Sequence, residues 1–204
     1  MDEWLLWGCP AKKVRSEWEF DPEKLKIWLE TKKIEIKRIR SQCSPCVLQR
    51  LHIGHWETET LSCRKSYQGV QVTVERKARY AKLAKLKTKS SRAMSVALTR
   101  RLSRYPTTLR RSIPYDNGPE NAEHIRTNNI LRTCSYFCEP FHSYERGTVE
   151  NTIGLVRRFL PKKTNLAMIS QDHLSKIESW PNCRPKKCLK FKTPAKVFKA
   201  EYCT

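Results

Sequence analysis

The sequence has no apolar run approaching the roughly 18 residues that a membrane-spanning helix needs. Its first ten residues, MDEWLLWGCP, have neither the basic start nor the sustained apolar stretch of a secretory signal. From these two absences we expect a cytoplasmic protein without a membrane partner. A reducing cytoplasm disfavours disulfide bonds, so the nine cysteines are expected to be free thiols or metal ligands.

Acidic residues are also scarce, because 20 Asp and Glu stand against 41 Lys and Arg and leave a formal net charge of +21. The excess is concentrated between Arg64 and Arg111, where 15 cations accompany one acid, Glu75. This density favours a nucleic-acid partner, since cations gain free energy by releasing counterions from a phosphate backbone. A solvated basic surface or a membrane-attracted patch is the alternative interpretation.

Four residues have the chemistry of zinc ligands: Cys43, Cys46, His52 and His55. Two thiolates and two imidazoles could complete a tetrahedral site. The gap between Cys46 and His52 is shorter than in a common zinc finger, so scattered free thiols are the favoured interpretation. A zinc-bearing nucleic-acid-binding module stays open as a further alternative.

Residues 1–53 differ in composition from the rest of the chain and contain four of the six tryptophans. Asp21 and Pro22 predict the start of a helix, and the alternating stretch KIEIKRIR (33–40) predicts a short strand. Neither a complete helix-turn-helix nor an internal repeat is recognisable. These patterns assign no role to the N-terminal segment.

Residues 54–204 are predicted to form one α/β domain with the order β-β-β-α-β-α-β-α. Ser90 or Ser91 would cap its first helix, and Pro161 would end its last predicted one. Pro114 suits an edge strand or a strand end better than a central ladder. The order is that of a ribonuclease H-like fold, a mixed sheet flanked by helices, preceded here by the small helical and strand segment.

Three acidic residues fall at points that such a sheet brings to one edge: Glu59 on the first strand, Asp116 at the end of the fourth, and Glu150 on the helix after the fifth. Three carboxylates in one place repel one another unless cations neutralise them. Mg²⁺ takes oxygen ligands, and two such ions roughly 3.5–4 Å apart support phosphoryl transfer. Before any family resemblance is considered, an accidental set of acids and a surface ladder of ion pairs from Arg146 to Arg157 fit the same pattern as a metal site does.

Five blocks between residues 54 and 198 form a recognisable set: GHWE (54–57), VERKARY (74–80), YDNGPENAEH (115–124), YERGTVENTIGLVRRFLPK (144–162) and NCRPKKCLKFKTPAKVF (182–198). Between Asp116 and Glu150, 33 residues intervene. Together the blocks resemble the catalytic domain of the insertion-sequence thirty family of bacterial transposases. These are DDE-type enzymes whose fold is related to that of retroviral integrases.

The resemblance implies a DNA transposase that cleaves and joins strands at insertion-sequence ends with Mg²⁺ or Mn²⁺, held as two ions. Glu59, Asp116 and Glu150 would be its catalytic and metal-binding residues. Its partner would be double-stranded DNA, as transposon ends and as target, bound by a homo-oligomer at the bacterial nucleoid. The DNA contacts implied by the matching helix are Arg146, Arg157, Arg158 and Lys162.

Two departures from the family pattern affect these expectations. The family has aspartate where this chain has Glu59, and Glu57 would substitute only if the strand register slipped. The family's DNA-end-recognising helix-turn-helix region is also not evident in residues 1–53. A catalytically impaired, DNA-binding remnant of a transposase is therefore the alternative to an active enzyme.

Overall fold

The computed structural model describes residues 11–14, 17–20, 38–39, 45–63, 66–138 and 146–202. The chain divides into two compact units, residues 1–37 and 38–204. In the first unit, β1 (Ala11–Val14) pairs antiparallel with β2 (Glu17–Phe20). The helix predicted to start at Asp21 lies outside the described residues.

The second unit contains six strands: β3 (Arg38–Ile39), β4 (Trp56–Ser62), β5 (Gly69–Glu75), β6 (Ala81–Leu86), β7 (Ser112–Tyr115) and β8 (Cys134–Phe137). Strands β4, β5 and β6 form an antiparallel meander, whereas β7, β8 and β3 pair in parallel. The two groups of strands meet where a parallel bridge joins His55 to Ser112. Beside this bridge, the carbonyl of Gly54 accepts hydrogen bonds from the amides of Arg111 and Ser112. The resulting order β6-β5-β4-β7-β8-β3 confirms the predicted mixed sheet.

The helices of this unit are α1 (Pro45–Leu48), α2 (Ser91–Leu102), α3 (His124–Leu131), α4 (Gly147–Val156), α5 (Gln171–Cys183) and α6 (Pro194–Tyr202). Ser90 caps α2, since its hydroxyl accepts a hydrogen bond from the Ala93 amide. No helix of the described part is long and apolar enough to cross a membrane.

Helices cover both faces of the sheet, and alternate residues of β4 point to opposite faces. Leu61 belongs to an apolar cluster with Val149 of α4 and Leu174 of α5. Trp56 belongs to a second cluster with Leu98 of α2 and Leu131 of α3. Glu59, which has the parity of Leu61, therefore lies on the α4 face.

Pro114 is the next-to-last residue of β7, which agrees with its suitability for a strand end. It lies in β7, between β4 and β8, and pairs with Tyr136. The β4–β7 pairing is an isolated bridge at Ser112 and is not continued to Pro114. The missing N–H of the proline therefore falls where no ladder bond is required of it.

The boundary between the two units lies earlier than the expected division at residues 53 and 54. Two contacts tie the intervening segment to the larger unit. Strand β3 extends the sheet beside β8, and the Arg76 guanidinium donates to the Val47 carbonyl at 2.7 Å. Residues 38–39 and 45–53 are thus part of the sheet-containing unit.

The Glu75 carboxylate gives a testable pH dependence of stability. It is buried at the end of β5 and accepts hydrogen bonds from the amides of Gly54 (3.1 Å) and Ala78 (2.6 Å). Burial raises the pKa of Glu75 from 4.5 to about 7, although these amide bonds oppose the rise. Because the folded protein holds this proton more tightly, the contribution of the group is complete below pH 4.5 and is lost as pH rises towards 7.

The expected loss between pH 4.5 and 7 is about 3 kcal/mol of unfolding free energy. Glu75→Gln should remove this slope, as measured by urea unfolding at several pH values in that window. The control is Glu201→Gln, which alters an exposed carboxylate on α6. If the unfolding free energies of the wild type and of Glu75→Gln change with pH in the same way, the prediction is contradicted.

Candidate active site

Three structural elements carry the predicted acids. Glu59 lies in the middle of β4, Asp116 directly follows β7, and Glu150 lies in the first turn of α4. Strands β4 and β7 meet at the His55–Ser112 bridge, and α4 packs on the β4 face that bears Glu59. The fold therefore directs all three elements to one region of the sheet.

The turn after β7 fixes the orientation of Asp116. Its Oδ1 accepts a hydrogen bond from the Gly118 amide at 3.0 Å and another from the side-chain amide of Asn121. A Cβ added at Gly118 would lie 3.0 Å from that same Oδ1, so the absence of a side chain permits the close turn. Asp116 is thus a turn residue through Oδ1, while Oδ2 is directed elsewhere.

Arg146 occupies the space that Oδ2 of Asp116 faces. Its Nη2 lies 2.9 Å from this oxygen, and its Nη1 lies 3.5 Å from Oε2 of Glu59. Nη1 also donates to the Thr58 carbonyl at 3.3 Å. The arginine side chain is only 6% exposed, so it belongs to the interior of the site, and its expected contact with DNA stays a prediction.

The electrostatics of Glu59 show which charges share this region. Burial raises the pKa of the Glu59 carboxyl above its usual value, while the Arg146 guanidinium acts in the opposite direction. Three neighbouring carboxylates add to the rise: Asp116, Glu150 and Glu120. The predicted acids therefore lie close enough to repel one another.

Glu120 is a fourth acid that the sequence interpretation did not single out. It lies in a 3₁₀ turn (Pro119–Asn121) after β7 and is half-buried. Burial raises its pKa, the Asp116 carboxylate adds to the rise, and a hydrogen bond with Thr60 opposes it. The available signal was its position four residues after Asp116, inside the block YDNGPENAEH.

The remaining predicted residues of the α4 region differ in exposure. Glu150, Arg158 and Lys162 are exposed. Arg157 is half-buried, and its Nη2 donates to the Ser62 carbonyl at 2.8 Å. Arg146 is paired with Glu59 and Asp116, and Arg157 donates to a β4 carbonyl. These two arginines, which flank α4, therefore do not form a surface ladder with Glu150.

The region has donor chemistry suited to a hard cation, because its side chains are carboxylates. Oε2 of Glu59 is buried and has no hydrogen-bond partner among the described residues. Within the described part of the chain, however, no three His, Cys, Asp or Glu side chains lie together in an arrangement that could hold a metal ion. The carboxylates thus match the predicted ion in chemistry, and Arg146 is the cation that they contact.

Glu57 has a structural position and does not replace Glu59. It lies two residues earlier on the same face of β4 and is fully buried. Its Oε1 is 2.9 Å from Nε of Arg76, and its Oε2 accepts the Val149 amide at 2.9 Å. The pairing of Glu59 with Val72 shows that the strand register has not slipped.

The suggested zinc ligands lie only partly within the described residues. Cys43 and the side chain of Cys46 lie outside them, whereas His52 is exposed. The Nδ1 of His55 is 2.7 Å from the Ser112 hydroxyl, in the interior beside the sheet junction. Burial, with the charge of Arg76 and other cations, lowers the pKa of His55 to about 4, so its ring is neutral at pH 7.

The fold is that of a retroviral integrase catalytic core. The chain superimposes on the catalytic core domain of BIV integrase with a TM-score of 0.56 at 15% identity, covering 74% of this chain and 97% of that one. At this identity the likeness establishes the ribonuclease H-like fold. No family model matches the chain.

Sequence relatives define the family more closely. The chain is 39% identical over 148 residues to the transposase InsI of insertion sequence element IS30A from Escherichia coli, covering 72% of this chain and 38% of the relative. It is 36% identical over 153 residues to the IS1086 transposase from Cupriavidus metallidurans, covering 75% and 45%. The predicted resemblance is confirmed: this chain is related by sequence to the IS30-family transposases and spans less than half the length of these relatives.

Proposed function

We propose that this chain carries the catalytic core of a DNA transposase, which cuts and joins DNA strands at the ends of an insertion sequence. The observation that carries the proposal is the shared environment of Glu59, Asp116 and Glu150 within an integrase-like fold. Sequence identity with insertion-sequence transposases supports the same class of substrate.

The three carboxylates would hold Mg²⁺ or Mn²⁺, with two ions as the number this kind of phosphoryl transfer uses. When bound, the ions would supply the positive charge that activates the attacking oxygen and stabilises the leaving oxygen. The carboxylate donors, and the burial of Oε2 of Glu59 beside Arg146 without a hydrogen bond among the described residues, support this assignment.

The chain's own residues would orient the reacting groups. Asp116 is held through Oδ1 by the Gly118 amide and Asn121, which leaves Oδ2 free to turn from Arg146 to another cation. Glu150 lies in the first turn of α4, so its position is fixed by the start of that helix. Water would attack the phosphodiester at the transposon end, break its bond to the 3′-oxygen and release a 3′-hydroxyl. That hydroxyl would then attack a target phosphodiester and displace the 3′-oxygen of the target strand.

Double-stranded DNA is the proposed partner, as transposon end and as target. Arg158 and Lys162 are exposed just after α4 and would contact backbone phosphates near the carboxylates. Exposed cations of the basic stretch, including Lys87, Arg100 and Arg104, would add sequence-independent attraction. Pairing of two ends would require a homo-oligomer, and the protein would act at the nucleoid of a bacterial cytoplasm.

Glu59→Asp is expected to increase strand cleavage. The extra methylene of glutamate displaces its carboxylate by about 1 Å, and misplacement of this size can cost around a hundredfold in rate. We therefore expect an increase of about ten- to a hundredfold when labelled DNA with insertion-sequence ends is incubated with Mg²⁺ or Mn²⁺. Glu201→Asp, on exposed α6, is the matched control and should leave the rate unchanged.

The same assay distinguishes the alternative function. A DNA-binding remnant would bind the end DNA but would not nick it with either ion, either as wild type or as Glu59→Asp. If the wild type cleaves DNA and Glu59→Asp cleaves it no faster, the glutamate at position 59 does not limit the rate.

A further inference from the structure

Arg146 is an unusual cation in a chain whose positive charges lie mostly on the surface. Its side chain is 6% exposed, and it contacts Asp116 at 2.9 Å and Glu59 at 3.5 Å. These are two of the three carboxylates proposed to bind divalent cations. The guanidinium therefore lies between two carboxylates that are proposed as ligands of a divalent ion.

Arg146 places the positive charge of a guanidinium between two carboxylates. Its attraction offsets the repulsion between Glu59 and Asp116, which otherwise raises the pKa of Glu59. A divalent ion placed between the same two carboxylates would be repelled by this guanidinium at close range and in a partly buried setting. Arg146 and the ion are thus mutually exclusive neighbours.

The attachment of Arg146 is concentrated at the tip of its side chain. The two terminal nitrogens make the contacts with Glu59, Asp116 and the Thr58 carbonyl. The Nε atom is buried and has no hydrogen-bond partner among the described residues, which is a cost that an outward movement would remove. Arg146 also directly precedes α4, and the position of the following Gly147 opens onto free space.

We propose that Arg146 is an internal counter-cation that holds Glu59 and Asp116 in the metal-free protein and sets the affinity of the site for divalent ions. Ion binding requires the guanidinium to leave the carboxylates, so the arginine weakens ion binding while it stabilises the empty site. Arg146 is in this sense a positioning residue. The inference rests on the proposed function only in that the same carboxylates bind the ion.

Mn²⁺ titration of the full chain by isothermal calorimetry, without DNA, tests this role. Arg146→Met keeps much of the side-chain length but removes the charge, and it should bind Mn²⁺ at least tenfold more tightly than wild type. Arg146→Lys keeps a cation and should stay within about threefold of wild type. Arg101→Met is the control, since Arg101 is half-buried and donates to the Leu83 carbonyl on β6, away from the carboxylates.

Thermal unfolding supplies a second readout that does not depend on activity. Without Mn²⁺, Arg146→Met should unfold at a lower temperature than wild type, and saturating Mn²⁺ should raise its midpoint by more than it raises that of wild type. Equal or weaker Mn²⁺ binding by Arg146→Met would overturn the inference and would leave the proposed function in place. Failure of every variant to bind Mn²⁺ would overturn both, whereas the expected affinities without DNA cleavage would count against the proposed function alone.

Discussion

Asp116→Asn is expected to reduce DNA strand cleavage by about a thousandfold or more, as for the loss of one member of a catalytic group that acts as a unit. Asparagine preserves an oxygen for the Gly118 amide, so the turn after β7 should form as before. It removes the negative charge that faces Arg146 and that would bind a divalent cation. The measurement is single-turnover nicking of labelled end DNA with Mg²⁺ or Mn²⁺.

The control for this substitution is Asp172→Asn, which changes an exposed aspartate in the first turn of α5 and should leave cleavage unchanged. Binding of the same DNA, followed by fluorescence anisotropy, should be retained by Asp116→Asn. Residual cleavage within about tenfold of wild type would show that Asp116 is not part of the chemistry.

Arg76→Met is expected to lower the unfolding free energy by about 3–5 kcal/mol, the range found when one partner of a buried ion pair is removed. The change leaves the Glu57 carboxylate, which is 0% exposed, without the Nε contact at 2.9 Å. It also removes the donor to the Val47 carbonyl. Urea or guanidinium unfolding monitored by tryptophan fluorescence measures the loss.

Two comparison variants make this second prediction specific. Lys77→Met breaks a more exposed ion pair with Glu201 and should change stability by less than about 1 kcal/mol. The double variant Glu57→Gln with Arg76→Met also removes the carboxylate that loses its partner, and it should recover part of the lost stability. An Arg76→Met variant as stable as Lys77→Met would contradict the proposed importance of the buried pair.

The buried pair also links stability to the candidate site. Glu57 accepts the Val149 amide and so joins β4 to the first turn of α4. Glu59 follows two residues later on the strand, and Glu150 follows Val149 directly on the helix. Loosening this connection should therefore displace two of the three proposed ligands relative to each other.

Local patterns predicted most of the elements in the second unit. The alternation in β4 to β6 and the cap at Ser90 each depend on residues within a few positions of one another, which the sequence displays directly. Asp116 and Glu150 were identified by family blocks, and their spacing follows from the chain alone. The sequence was less informative where an element meets a distant partner, as the bridge between His55 and Ser112 illustrates.

The sequence by itself thus determined the order of strands and helices, the family, and the three acids proposed for the chemistry, because these are carried by periodicity and by contiguous blocks. Only the tertiary structure decided how the charges are paired. The sequence predicts that Arg146 is a cation in contact with DNA, but it lies buried between Glu59 and Asp116. Glu120 lies near the same carboxylates, in the turn after β7. The physical reason is that burial and charge pairing depend on which distant segments pack together, and Glu59 and Arg146 meet only when α4 packs against β4.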